Sequence, residues 1–229
     1  MDDLDAVDEP ELRPLDESRW PPAIAVLAFV IMNVSLRIWL PDEHAFTVPW
    51  LLPATEVILL GVLVFSDPIR TDLRSLQLRR AAIVLIVLLI GAAMFSTGVL
   101  IAHLVNGDSQ TNSGGKLLAA GSLIWVGNVL AFSLLYWVFD SGGPTARAHR
   151  RRLHPDFVFP QAESPELAPD GWHPVYIDYL YLGFCTSTAF SPTDVLPLAH
   201  WAKLAMAVQS AASLAVIGLV IARAVNVFA

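Results

Sequence analysis

Apolar residues fall into long runs separated by short polar stretches, at positions 22–40, 49–65, 81–105, 117–139 and 199–228. A membrane-spanning helix needs about 20 predominantly apolar residues. Each run therefore predicts one span, the second being short but adequate. The fifth would be about 45 Å long as a helix at 1.5 Å per residue, more than the bilayer core, which predicts tilt. Between the fourth and fifth runs lies a Pro-rich, basic linker, SGGPTARAHRRRLHPDFVFPQAESPELAPDGWHP, followed by YIDYLYLGFCTSTAFSPTDVLP. The second of these starts apolar and aromatic and then turns to Thr, Ser and Pro. An apolar stretch of about a dozen residues reads as a re-entrant or interfacial segment, not a span. The pattern predicts an all-α integral membrane protein with about five transmembrane helices plus a re-entrant helix and loop near the C-terminal end.

Composition agrees. The 229 residues are 55% hydrophobic and 15% charged, against about 25% charged in globular domains. The formal charge of −7 comes largely from MDDLDAVDEPELRPLDE. That start is too acidic for a signal peptide, and residues 1–21 read as a disordered tail. Arg70, Arg74, Arg79 and Arg80 follow the second run and Arg150, Arg151 and Arg152 the fourth, whereas NGDSQTNSGG after the third has no basic residue before Lys116. Basic loops face the cytoplasm. The N-terminus, both Arg loops and the segment after the linker are therefore expected inside, and the C-terminus outside. The Arg triplet could also bind anionic lipid headgroups. The single Cys185 excludes an intrachain disulfide and reads as a small packing residue. No Cys/His spacing indicates a metal. With no Gly-rich phosphate loop, nucleophile motif or basic–aromatic patch, no enzyme activity, cofactor or nucleic-acid partner is expected.

Ionisable residues inside apolar runs are costly and usually paired. Arg37, near the outer end of the first run, and Glu56, about two turns into the second from the same side, are candidates for an intramembrane ion pair. It would be a structural clamp or an ion-sensing site, which His103 could join. Arg37 could alternatively snorkel to the interface. Asn128 and Gln209 are expected to hydrogen-bond between helices. Runs one to three lack the regularly spaced Arg of a voltage sensor.

Tyr181-Leu-Gly-Phe-Cys-Thr-Ser-Thr-Ala-Phe-Ser-Pro-Thr-Asp194-Val-Leu-Pro197 resembles the pore of potassium channels. That family shows an aromatic-rich pore helix, then Thr-x-Thr-Thr-Val-Gly-Tyr-Gly-Asp, then a Pro three residues on. Thr186 and Thr188 match the Thr-x-Thr step, Asp194 the Asp, and Pro197 the Pro. Trp201-Ala202-Lys203-Leu204 resembles the Trp-Gly-Arg-Leu step opening many inner helices. The likeness covers 176–228 and makes 117–139 the candidate outer helix. It implies a homotetrameric pore domain over 117–229, with linker 140–175, pore helix and filter-like loop 176–197 and inner helix 199–228, beside a three-helix bundle over 22–105. It places Ser213 near the family's hinge glycine and Gln209, Leu214 and Ile217 along the cavity. The whole chain is also similar to a group of bacterial five-helix membrane proteins with this pore-like ending, a likeness that implies a bacterial inner membrane and no activity.

The filter itself departs from the family. Ala189-Phe190-Ser191-Pro192-Thr193 stands where the family has Thr-Val-Gly-Tyr-Gly. A potassium filter stacks backbone carbonyls toward the axis, using glycines for φ values that other residues resist. Here Ser191 and Thr193 replace both glycines, and Pro192 fixes φ and removes an N–H. A stacked-carbonyl filter is not expected. Rings of Thr188, Ser191 and Thr193 hydroxyls and of Asp194 carboxylates would remain, and acidic rings favour cations. The expectation is weakly selective cation passage, with monovalent or divalent cations as permeant ions and lipids as the other partners. Its rival is a non-conducting scaffold that keeps the pore fold, sealed by Phe190 and Pro192.

Overall fold

A computed structural model of the chain describes residues 18, 20–39, 54–58, 61, 73–106, 114–148, 154–188 and 194–228. Five helices carry the fold: α1 (Trp20–Trp39), α2 (Leu73–Asn106), α3 (Gly114–Phe139), α4 (Tyr176–Thr188) and α5 (His200–Phe228). A further helical stretch occupies 54–58. Short helical turns follow α3, and β1 (Phe157–Val158) pairs antiparallel with β2 (Leu196–Pro197). The strand pair is a small departure from the all-α expectation.

Three helices, α2, α3 and α5, are long and apolar enough to cross a membrane. They correspond to the third, fourth and fifth apolar runs. The apolar part of α1, 20–36, is shorter, and most of the second run falls outside the described residues. In lipid the backbone must satisfy its own hydrogen bonds, so an apolar run of this length folds as a helix. One boundary differs from expectation. α2 begins at Leu73, inside the stretch read as a polar loop. Hydropathy marks where lipid begins, not where the helix does, and Leu, Arg and Gln are all good helix formers.

α3 is the centre of the molecule and packs against α1, α2, α4 and α5. On one side Phe29, Leu85, Leu89 and Leu134 interlock α1, α2 and α3. At the far end, Leu117, Ala120 and Ile124 of α3 meet Val216 and Val220 of α5. There the Val220 side chain presses against the α3 backbone, and a Cβ on Gly121 would lie 2.7 Å from Val220 Cγ2. Gly121→Leu should therefore force α3 and α5 apart, at about 1–3 kcal/mol. Thermal melting in detergent checks this against Gly98→Leu, whose Cβ meets nothing within 4 Å. Equal melting of the two variants would remove the close crossing.

The linker folds back onto the bundle. Phe157 and Phe159 are buried with Phe132, Tyr136, Tyr179 and Leu182. Ring centroids lie 5.3 Å apart for Tyr136–Phe157 and for Phe159–Tyr179, and 5.6 Å for Phe157–Trp201, all edge-on. Such pairs add about 0.5–1.5 kcal/mol each beyond area burial.

Candidate functional site

The site begins where α3 ends. Phe139 is followed by Asp140-Ser141-Gly142-Gly143, and the last three residues have positive φ. A side chain at Gly143 would sit 2.7 Å from the Val138 carbonyl oxygen, so this sharp turn requires glycine there. The turn leaves Asp140 1% exposed and surrounded by donors. Its Oδ1 accepts from the backbone N–H groups of Asp156 (3.1 Å) and Phe157 (3.2 Å) and from Ser141 Oγ (3.0 Å). Its Oδ2 accepts from the Tyr179 hydroxyl at 2.5 Å. Asp156 Oδ2 in turn accepts from Ser141 N at 2.9 Å. Arg147 Nη1 donates to the carbonyls of Trp137 (2.7 Å) and Asp140 (3.0 Å) at the end of the helix, and its guanidinium lies 5.1 Å from the Tyr179 ring centroid.

α4 starts from this knot. Asp178 Oδ2 accepts from Val175 N at 2.8 Å, the reach-back bond of a capping box. Burial pushes the Asp178 carboxyl above its usual range, against the opposing effects of the Val175 N–H and His173. The Tyr176 hydroxyl bonds Ser133 Oγ of α3 at 2.9 Å. Gly183 seats α4 on α3, since a Cβ there would lie 3.2 Å from the Val129 carbonyl oxygen. At the C-terminal end of α4, Gln209 Nε2 donates to Gly183 O and Ser187 Oγ, each at 2.8 Å, and Ser210 Oγ donates to Thr186 O at 3.0 Å.

The chain then comes back. β2 pairs with β1, Phe157 opposite Pro197, and Leu198 N donates to the Asp156 carbonyl at 2.8 Å. Both ends of the 176–198 segment are thus tied to one anchor, Asp140 and Asp156, at the C-terminal end of α3.

The residues singled out in the sequence fall into three groups. Ala189, Phe190, Ser191, Pro192 and Thr193 lie outside the described residues, as does the Arg37 side chain and with it the proposed pair to Glu56. Glu56 itself is buried. A second group faces inward. Thr186 is buried and donates to Leu182 O of its own helix. The half-buried Thr188 donates to Cys185 O at 3.0 Å. Cys185 is buried. Gln209 and Ser213 are fully buried. Gln209 keeps the interhelical bonding expected of it, and Asn128 likewise donates to Thr97 Oγ1 of α2 at 3.0 Å. The third group is open. Asp194 is exposed directly before β2, Leu214 is 64% exposed and Ile217 is half-buried.

Sequence reasoning missed Asp140, Arg147, Asp156 and Tyr179. One signal was present. An acidic residue at a helix C-terminus opposes the macrodipole, so Asp140 after an apolar run, with Ser-Gly-Gly behind it, marks a carboxylate that needs donors from elsewhere.

No protein-family model matches the chain, and neither a curated protein nor a solved structure is significantly similar to it.

Proposed function

We propose that the chain is the protomer of a homotetrameric, channel-like membrane protein that passes cations with weak selectivity, its path built from α3, α4 and α5. The observation that carries this reading is the shared anchor. A segment that departs from and returns to the Asp140–Asp156 knot enters the membrane from one side and leaves by the same side. α4 has 13 residues, about 20 Å at 1.5 Å per residue, against a hydrocarbon core of about 30 Å. It therefore ends within the bilayer, and its C-terminal carbonyls direct partial negative charge there. Asp194, exposed two residues before β2, stands at the mouth, where a ring of carboxylates favours cations. The Arg-rich loops support a cytoplasmic mouth, in what the resemblance implies is a bacterial inner membrane.

The experiment is ion flux from liposomes carrying the purified full-length protein, comparing potassium, sodium and chloride under matched gradients. Cation flux exceeding chloride flux is expected. Asp194→Asn should move the reversal potential under a salt gradient toward zero, and an unchanged potential removes Asp194 from the mouth. Absence of flux in the native protein across ions, pH and voltage would favour a sealed scaffold that keeps the pore fold.

A further inference from the structure

Gln209 lies in the middle of an apolar helix with no exposed surface, where an amide is costly unless both its ends are bonded. Both ends are. Oε1 accepts from the Tyr136 hydroxyl of α3 at 2.6 Å, and Nε2 donates to Gly183 O and Ser187 Oγ of α4 at 2.8 Å each. One side chain on α5 therefore joins three helices, and its donor end grips the last two turns of α4. Ser210, the next residue, adds a bond to Thr186 O. On the opposite side, Gly183 lets those same turns press against the α3 backbone. The C-terminal end of α4 is held between a backbone wall and an amide clamp.

One face of α5 is open, although Ala202, Val216 and Val220 on the other are buried. Leu204, Val208, Leu214, Ile221 and Val225 are all at least half exposed. A shift of α5 must then carry the end of α4 with it or break the bonds at Gln209. We propose that Gln209 is a positioning residue that couples α5 to the C-terminal turns of α4, and through them sets the preference of the path among cations. The consequence for ions rests on the channel reading above; the clamp does not.

Cys185 reports on the clamp directly. It is the chain's single cysteine, it is buried, and it sits between Gly183 and Ser187. Alkylating it requires the turn to open locally. The full-length protein in liposomes is treated with N-ethylmaleimide, and the potassium-to-sodium flux ratio is measured on the same preparations. Gln209→Leu, which removes both arms, should raise the alkylation rate about tenfold or more and change the flux ratio. Tyr136→Phe, which removes only the α3 arm and keeps both bonds to α4, should raise the alkylation rate clearly less than Gln209→Leu and leave the flux ratio unchanged.

Should Gln209→Leu fail to fold, Ser187→Ala combined with Ser210→Ala loosens the α4 side alone and carries the same expectation. Alkylation at the native rate in the loosened variant overturns the clamp. An equal rise in Tyr136→Phe also overturns it, because that would be general loosening of the core. Faster alkylation with an unchanged flux ratio overturns the coupling to ion preference. If the native protein passes no cation, the channel reading fails, while the alkylation rates still decide the clamp.

Discussion

Asp140→Ala should destabilise the protein by about 3–5 kcal/mol and release the 154–198 segment from the end of α3. The carboxylate receives the Tyr179 hydroxyl, the backbone N–H groups of Asp156 and Phe157, and Ser141 Oγ. Alanine leaves these donors facing an apolar methyl. Each buried donor without a partner costs about 1–3 kcal/mol, with bonds to a charged acceptor at the upper end. Ser141 is half-buried and finds water, so the loss is carried by the other three. Asp140→Asn should be milder, about 1–2 kcal/mol. Its amide oxygen still accepts from the two backbone groups, and its NH₂ can donate to the Tyr179 oxygen. Melting followed by tryptophan fluorescence in detergent checks the order, because Trp201 packs against Phe157, one of the two residues whose amide is lost. If Asp140→Ala melts with the native protein, the knot does not anchor the returning segment.

The contrast between α5 and this knot shows what a linear sequence carries in a membrane protein. The run 199–228 and the helix His200–Phe228 differ by one residue. Lipid imposes both the apolar composition and the helical hydrogen bonding, so one trace reports both. α3 begins three residues before its run, at Gly114, and α2 eight before, at Leu73, because helices continue past the bilayer. The face a helix presents is another matter. α5 is apolar around its whole circumference, so no stripe marks its packed side. Gln209 and Ser213 could be assigned to a span but not to a direction, and only the fold shows them buried. The knot left still less trace. Asp140 meets partners 16, 17 and 39 residues away, and such pairings obey no local period. The linker carried Phe157 and Phe159 as apolar residues among prolines, too few in number to read as an element. They are buried only because α3 and α4 open a slot between Tyr136 and Tyr179.

The same slot makes Gly183 the position where a larger side chain does most harm. Gly183→Leu should cost about 3 kcal/mol and unseat α4. A Cβ alone would stand 3.2 Å from the Val129 carbonyl oxygen and 3.3 Å from Ser133 Cβ, and leucine adds three carbons beyond it. α3 cannot retreat, since it is packed by α1, α2 and α5 on its other sides. α4 must move instead, and its bonds go together: Tyr176 to Ser133, and Gln209 to Gly183 and Ser187. Gly183→Ala separates crowding from helix propensity. Alanine gains about 1 kcal/mol over glycine in a helix interior, which offsets a contact that needs only a few tenths of an ångström of relief. It should melt within about 1 kcal/mol of the native protein. The leucine variant should melt well below it and expose Cys185 to alkylation at temperatures where the alanine variant still protects it. If leucine is accepted with Cys185 still protected, then α4 is not seated on the α3 backbone, and the anchored, returning segment loses the wall against which the Gln209 clamp closes.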